Sequence, residues 1–143
     1  MNNSLINFGL FIFRISISLF MMLGHGLGKF QKLISGAEIK FLDPFGIGAT
    51  ASFSLAVFAE FFAPMFIVLG VLTRFNSLSL IITMSVAAFI AHADDPFSNK
   101  EKALLYLASY VLLFFTGPGK FSLQNWLVKK IKNLNGILKF ILH

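Results

Sequence analysis

Long apolar stretches alternate with short polar ones along the chain. Apolar residues fill about 8–30, 51–72 and 75–93 and, after a charged opening, 102–116. A helix that crosses a bilayer needs roughly 20 mostly apolar residues. The pattern therefore predicts an all-α fold, an integral membrane four-helix bundle. The fourth stretch is the shortest and fits by tilting little or thinning the bilayer locally. The breaks carry turn chemistry: "DPFGIG" (43–48) interrupts the chain after the first stretch, and "LTRFNS" (72–77) predicts a tight turn. In "HADDPFSNKEKA" (92–103), Ser98 stands three residues before Glu101, a capping-box spacing that predicts the start of the fourth helix. "GPGKFS" (117–122) predicts its end.

After Ser122 the pattern changes. Leu127, Ile131, Leu134, Leu138 and Ile141 share one helical face, while Lys129, Lys130, Lys132 and Lys139 lie largely off it. A segment of this kind lies along a membrane surface rather than crossing it. The chain thus divides into a four-helix membrane domain, 1–123, and a basic amphipathic C-terminal helix, 124–143. Repeats and low-complexity tracts are absent. The opening "MNNSLIN" has no basic residue and no small-x-small cleavage site follows, so the first apolar run reads as a retained helix, not a signal peptide.

Composition sharpens this. Hydrophobic residues make up 57% and charged residues 13% of the chain, against about a quarter charged in a soluble domain. There is no cysteine, which excludes disulfides, thiolate metal sites and a thiol nucleophile within the chain. The net charge of +6 does not point to nucleic acid, because the lysines gather at the ends of apolar runs and in 124–143, as membrane-surface anchors do. An even number of spans puts both termini on one side, with Arg74, Lys120, Lys129, Lys130, Lys132 and Lys139. The other side mixes Lys29, Lys32, Lys40, Lys100 and Lys102 with Glu38, Asp43, Asp94, Asp95 and Glu101. The positive-inside rule then predicts cytoplasmic N- and C-termini in a bacterial-type plasma (inner) membrane.

Ionisable groups within a span are expensive and mark functional candidates. Arg14, Ser18, Met21, His25, Gly28, Lys29 and Lys32 fall on one stripe of the first helix, Arg14 and His25 differing by about 20° in direction. Glu60 lies mid-way along the second helix. Pro64, four residues later, cannot donate to the Glu60 carbonyl, which predicts a kink there. His92 closes the third helix and Glu101 opens the fourth. With alternating helix directions, His25, His92 and Glu101 gather near one end and Glu60 lies a turn or two deeper. Structural alternatives stand beside each. His25 is also satisfied by a backbone carbonyl, Lys29 and Lys32 also serve as snorkelling anchors, Arg14 also reaches headgroups or pairs with Glu60, and Glu101 also serves as a cap alone. Gly24 and Gly28 form a GxxxG, a close-packing surface.

Taken together, these residues resemble the DoxX family of small four-helix membrane proteins. The matching features are an arginine early in helix one with "HGLGKF" at its end, then "AEFFAPMFIVLGVLTR" (59–74), "KEKALLYL" (100–107) and "GPGKFSL" (117–123). The resemblance runs to Leu123 and leaves the lysine-rich terminal segment outside. It implies association with terminal quinol oxidase or thiosulfate:quinone oxidoreduction, or with oxidative and thiol stress, often beside separate redox partners. The lack of cysteine moves any thiol chemistry to a partner.

The reading that follows is a membrane subunit of an oxidoreductase system, interacting with quinone or quinol through a polar intramembrane pocket. His25 and Glu60 are the candidate catalytic pair, acting as a proton relay. Arg14, His25, Lys29, Glu60, His92 and Glu101 are the candidate substrate-binding set. No flavin, haem or iron–sulfur motif is visible, so electrons come from a partner or from quinone itself. Two alternatives stay open: a metal or small-anion binding or transport protein built on His25, His92, Glu60 and Glu101, and a non-catalytic scaffold for redox partners. Expected partners are membrane lipid, a redox protein and, as an open alternative, a second copy of the chain, with no nucleic acid.

Overall fold

The protein is described here from a computed structural model over residues 3–128, and its regular elements among these residues are all helices. Helix α1 runs over 3–34, α2 over Ala49–Leu69, α3 over Thr73–Ala91, α4 over Phe97–Thr116 and a short α5 over Leu123–Val128. Successive helices lie side by side and α4 returns to α1, closing an up-and-down bundle. Helices α1, α2 and α3 are long and apolar enough to cross a membrane. Helix α4 has 20 residues, about 30 Å of helix at 1.5 Å per residue, but it opens on Lys100, Glu101 and Lys102. Most of the amphipathic segment expected over 124–143 lies outside the described residues.

The core is a column of Met21, Ala63, Ile67, Leu80, Met84, Tyr110 and Leu113. Lipid is as apolar as these side chains, so close packing and satisfied polar groups hold such a bundle together. Tyr110 is fully buried and its hydroxyl donates to the Ile17 carbonyl at 3.4 Å.

The ends show where sequence signals acted. Asp43 accepts from the Ile47 and Gly48 N–H groups at 3.0 and 2.8 Å and from the Ser52 hydroxyl at 2.7 Å, clamping the first connection onto α2. The tight turn expected over 72–77 lies earlier. Gly70 has φ +69° and Leu72 φ +48°, and α3 already begins at Thr73. Glycine is what allows the chain to reverse there, since the left-handed conformation penalises a Cβ. The capping box expected at Ser98 and Glu101 does not form. Helix α4 begins at Phe97 behind Pro96, with no side-chain cap, so Ser98 already sits inside the first turn. Gly117, at φ +68°, ends α4 where "GPGKFS" predicts.

Arg14 organises one end of the bundle. It is 1% exposed, and its guanidinium donates to the carbonyls of Pro118 at 2.7 Å, Phe121 at 2.9 Å and Val68 at 3.4 Å. The Val68 carbonyl is one of the last in α2, which have no partner within their own helix. A Cβ on Gly70 would press within 2.9 Å of Arg14 Cζ, so this glycine also makes room for the guanidinium. Gln124 completes the knot, accepting from the Leu72 N–H at 2.6 Å while its own N–H donates to the Gly70 carbonyl at 3.3 Å.

Hydrogen bonds to a charged group contribute about 1.5–3 kcal/mol each, and orphaned carbonyls add a penalty. Arg14→Met is expected to destabilise the bundle by roughly 3 kcal/mol or more, read as a fall in thermal midpoint in detergent. An unchanged midpoint would remove Arg14 from this role.

Candidate functional site

Each of the first three helices widens into a π turn: Met22–Gly26 in α1, Phe58–Phe62 in α2 and Ala87–Ala91 in α3. A π turn inserts one residue into an α-helix and re-aims the side chains around it, and such turns collect at functional sites. The turns in α1 and α2 pack directly on each other. A Cβ on Gly26 would fall inside the Glu60 carbonyl and 2.8 Å from Phe61 Cα. The glycine that permits close approach is therefore Gly26. Gly24 and Gly28, the expected GxxxG pair, are exposed and have open space at their Cβ positions among the described residues. Pro64 lies just beyond the widened turn of α2, at the start of the resumed α-helix, so the irregularity expected around Glu60 takes the form of a π turn.

This contact sets the ion pair. Lys29, just past the α1 π turn, reaches Glu60, and its ammonium hydrogen-bonds to Glu60 Oε2. Glu60 is 4% exposed. A buried carboxylate without a partner costs several kcal/mol, and pairing offsets that cost.

Two cavities meet at this pair. One, of about 440 Å³, is the more polar of the two. It is lined by His25, Lys29, Glu60, His92, Ser98, Asn99, Lys102 and Tyr106 together with Met84, Ala87 and Ala103. The other, of about 460 Å³, is lined mostly by apolar side chains, among them Leu55, Phe58, Ile82 and Val86 from α2 and α3 and Phe41, Leu42 and Phe45 from the first connection. Lys29, Glu60, Ala87 and His92 line both, so they form the wall that the two cavities share. His25 meets the Tyr106 ring edge-on at 5.6 Å, and Tyr106 stacks along Tyr110 at 6.4 Å. His92 Nδ1 donates to Asp95 Oδ2 at 2.7 Å, and the Asn99 amide reaches the same oxygen at 3.3 Å. These bonds, that of His92 first, hold the Asp95 carboxyl below the usual carboxylate range.

The structure thus brings together His25, Lys29, Glu60 and His92 and leaves out Arg14 and Glu101. Arg14 does not pair with Glu60. Its guanidinium serves the Pro118, Phe121 and Val68 carbonyls, and eleven residues of helix separate it from His25, about 16 Å at 1.5 Å per residue. Glu101 is exposed and lines neither cavity. One helical step turns a side chain by about 100°, and its neighbour Lys102, also exposed, lines the polar cavity. Lys32 lies with its ammonium 5.8 Å from the Phe53 ring centroid. Among the described residues no group of three or more His, Asp or Glu side chains gathers where it could hold a metal ion.

Sequence reasoning did not single out Lys102, Tyr106, Ser98, Asn99 or Asp95 as site residues. A signal was present. Ser98, Lys102, Tyr106 and Tyr110 repeat every four residues, one face of α4. It is hidden because the charged trio 100–102 reads as a helix-end cluster.

The DoxX family model matches residues 9–93. The chain belongs to the DoxX family. It is also 36% identical over 123 residues, covering 81% of each chain, to an uncharacterized protein of Haemophilus influenzae. No solved structure matches it. The DoxX match takes in the π turns of α1 and α2 and both residues of the ion pair, and stops one residue past His92.

Two outcomes follow for this DoxX protein. Gly26→Ala forces overpacking against backbone and is expected to cost about 1–3 kcal/mol or more, whereas Gly24→Ala, with open space, leaves the thermal midpoint near wild type. Equal effects would contradict the packing described. His92→Ala removes the main cause of the depressed Asp95 carboxyl, so the Asp95 titration, followed by side-chain carbon NMR, moves up toward about 3.9. Because that carboxyl is depressed in the folded protein, the His92–Asp95 interaction is fully present above the ordinary carboxylate pKa and is lost as pH falls through the lower folded value.

Proposed function

We propose that this DoxX protein is a membrane subunit of an oxidoreductase system that binds quinone or quinol, in a bacterial-type plasma membrane with both termini cytoplasmic. The observation that carries the reading is the ion pair of half-buried Lys29 with buried Glu60, standing between an apolar cavity and a more polar one. A quinone has the same two-part chemistry: a ring with two carbonyl oxygens that accept hydrogen bonds, and an apolar tail. The apolar cavity suits the tail. The polar cavity offers donors for the ring oxygens in the Lys29 ammonium and the His25 imidazole, and Glu60 is placed to relay protons. A separate redox protein supplies or removes the electrons, since the chain has neither cysteine nor a flavin or haem motif. In this reading Arg14 belongs to the fold, and Glu101, which lines neither cavity, stays outside the binding set.

The test is what co-purifies. Native mass spectrometry of the protein in lipid nanodiscs is expected to show bound quinone. Glu60→Gln and His25→Ala, verified as folded by circular dichroism, are each expected to weaken quinone binding at least tenfold, about 1.4 kcal/mol. Folded variants that keep wild-type quinone occupancy would leave the polar cluster as helix-to-helix glue and favour a scaffold.

A further inference from the structure

The His92–Asp95 pair stands apart from the groups that hold the ion pair. His92 is the first residue beyond α3, and Asp95 lies in the short connection to α4. Both side chains are roughly two-fifths exposed, at 43% and 40%. His92 nevertheless lines both cavities, as Lys29 and Glu60 do. It is therefore a titratable side chain that touches the aqueous edge of the protein and the cavities around a buried carboxylate. Its orientation is held. The Nδ1–H donates to Asp95 at 2.7 Å, and Asn99 steadies the same Asp95 oxygen. The Lys100 ammonium ties down the connection by donating to the Ala93 carbonyl at 3.0 Å. With Nδ1 engaged, Nε2 is the ring nitrogen left to exchange protons. An imidazole held by a carboxylate at one ring nitrogen can pass a proton through the other.

Resting on the quinone reading above, we propose that His92, oriented by Asp95, is the port through which protons pass between the aqueous phase and the quinone site. The charged and titratable groups around the path are His25 and Lys29 from α1, Glu60 from α2, and Lys102 and Tyr106 from α4, with Asp95 behind the ring. Reduction of a quinone to a quinol consumes two electrons, delivered by the redox partner, and two protons, and forms two O–H bonds. For each proton, His92 takes one from bulk water at Nε2 and releases it into the polar cavity toward Glu60, which passes it to a ring oxygen. After the second transfer His92 and Glu60 are back in their starting protonation states. Oxidation of quinol runs the same steps in reverse. His92 is the relay and Asp95 its positioning residue.

The experiment uses the full chain in nanodiscs loaded with a short-tailed ubiquinone, reduced at an electrode so that no partner is needed, with proton uptake followed by a pH-indicating dye. His92→Gln is expected to slow uptake per bound quinone about 100-fold, with occupancy measured in parallel by native mass spectrometry. Added imidazole should restore much of the rate. Asp95→Asn, which keeps a hydrogen-bond acceptor but loses the charge, should slow uptake less. Wild-type uptake in quinone-loaded His92→Gln would overturn the relay and leave the quinone reading standing. A slowed variant that imidazole does not rescue would assign His92 a structural role and likewise overturn it. A wild-type protein that holds no quinone would overturn the binding reading, and the relay with it.

Discussion

The arrangement depends on one backbone contact, that of Gly26 on Glu60. The two π turns touch because nothing projects from Gly26, and Lys29 then lies within reach of a carboxylate that is nearly sealed from the surroundings. Without this approach Glu60 would be a buried charge with no partner, which costs several kcal/mol. The shared wall between the cavities is a consequence of the same contact. It joins α1 and α2 at the level where α3 also widens and brings His92 to the edge.

The bundle divides its polar groups between two tasks. At one end Arg14 and Gln124 satisfy backbone groups that the turns leave open: the Val68, Pro118 and Phe121 carbonyls and the Leu72 N–H. Within a membrane no water is available for such groups, so a fixed charge with several donors meets the need. At the other end the polar groups face cavities, and some remain partly exposed. The first arrangement suits stability. The second leaves room for a ligand and for proton exchange.

Sequence and structure agree and part at identifiable residues. Glu60 beside Pro64 marked the irregular turn because a proline removes a helix donor at a known spacing. His25 and Lys29 could be placed on an inward stripe from the helical period alone, and both line the polar cavity. Arg14 shares that stripe but serves a different end of it, since a stripe gives direction and not the identity of what lies opposite. Glu101 and Lys102 were indistinguishable in a run of charges, and a 100° step separates them in space. Gly24 and Gly28 had the spacing of a packing motif, yet Gly26 bears the contact. The π turn in which it lies re-aims the helix face, and a reading at 3.6 residues per turn does not anticipate that.

The sequence by itself determined the apolar helices, the turns around Asp43 and Gly117, the polar stripe of α1 and the resemblance to the DoxX family. All of these depend on local composition, on period and on motif order along the chain. Only the tertiary structure decided which glycine touches which helix, that Lys29 and not Arg14 pairs with Glu60, and that His92 finds Asp95 and stands at both cavities. These outcomes turn on the relative rotation and closeness of helices. One residue inserted by a π turn, or one missing Cβ, changes both without altering the hydrophobic pattern from which the helices are read.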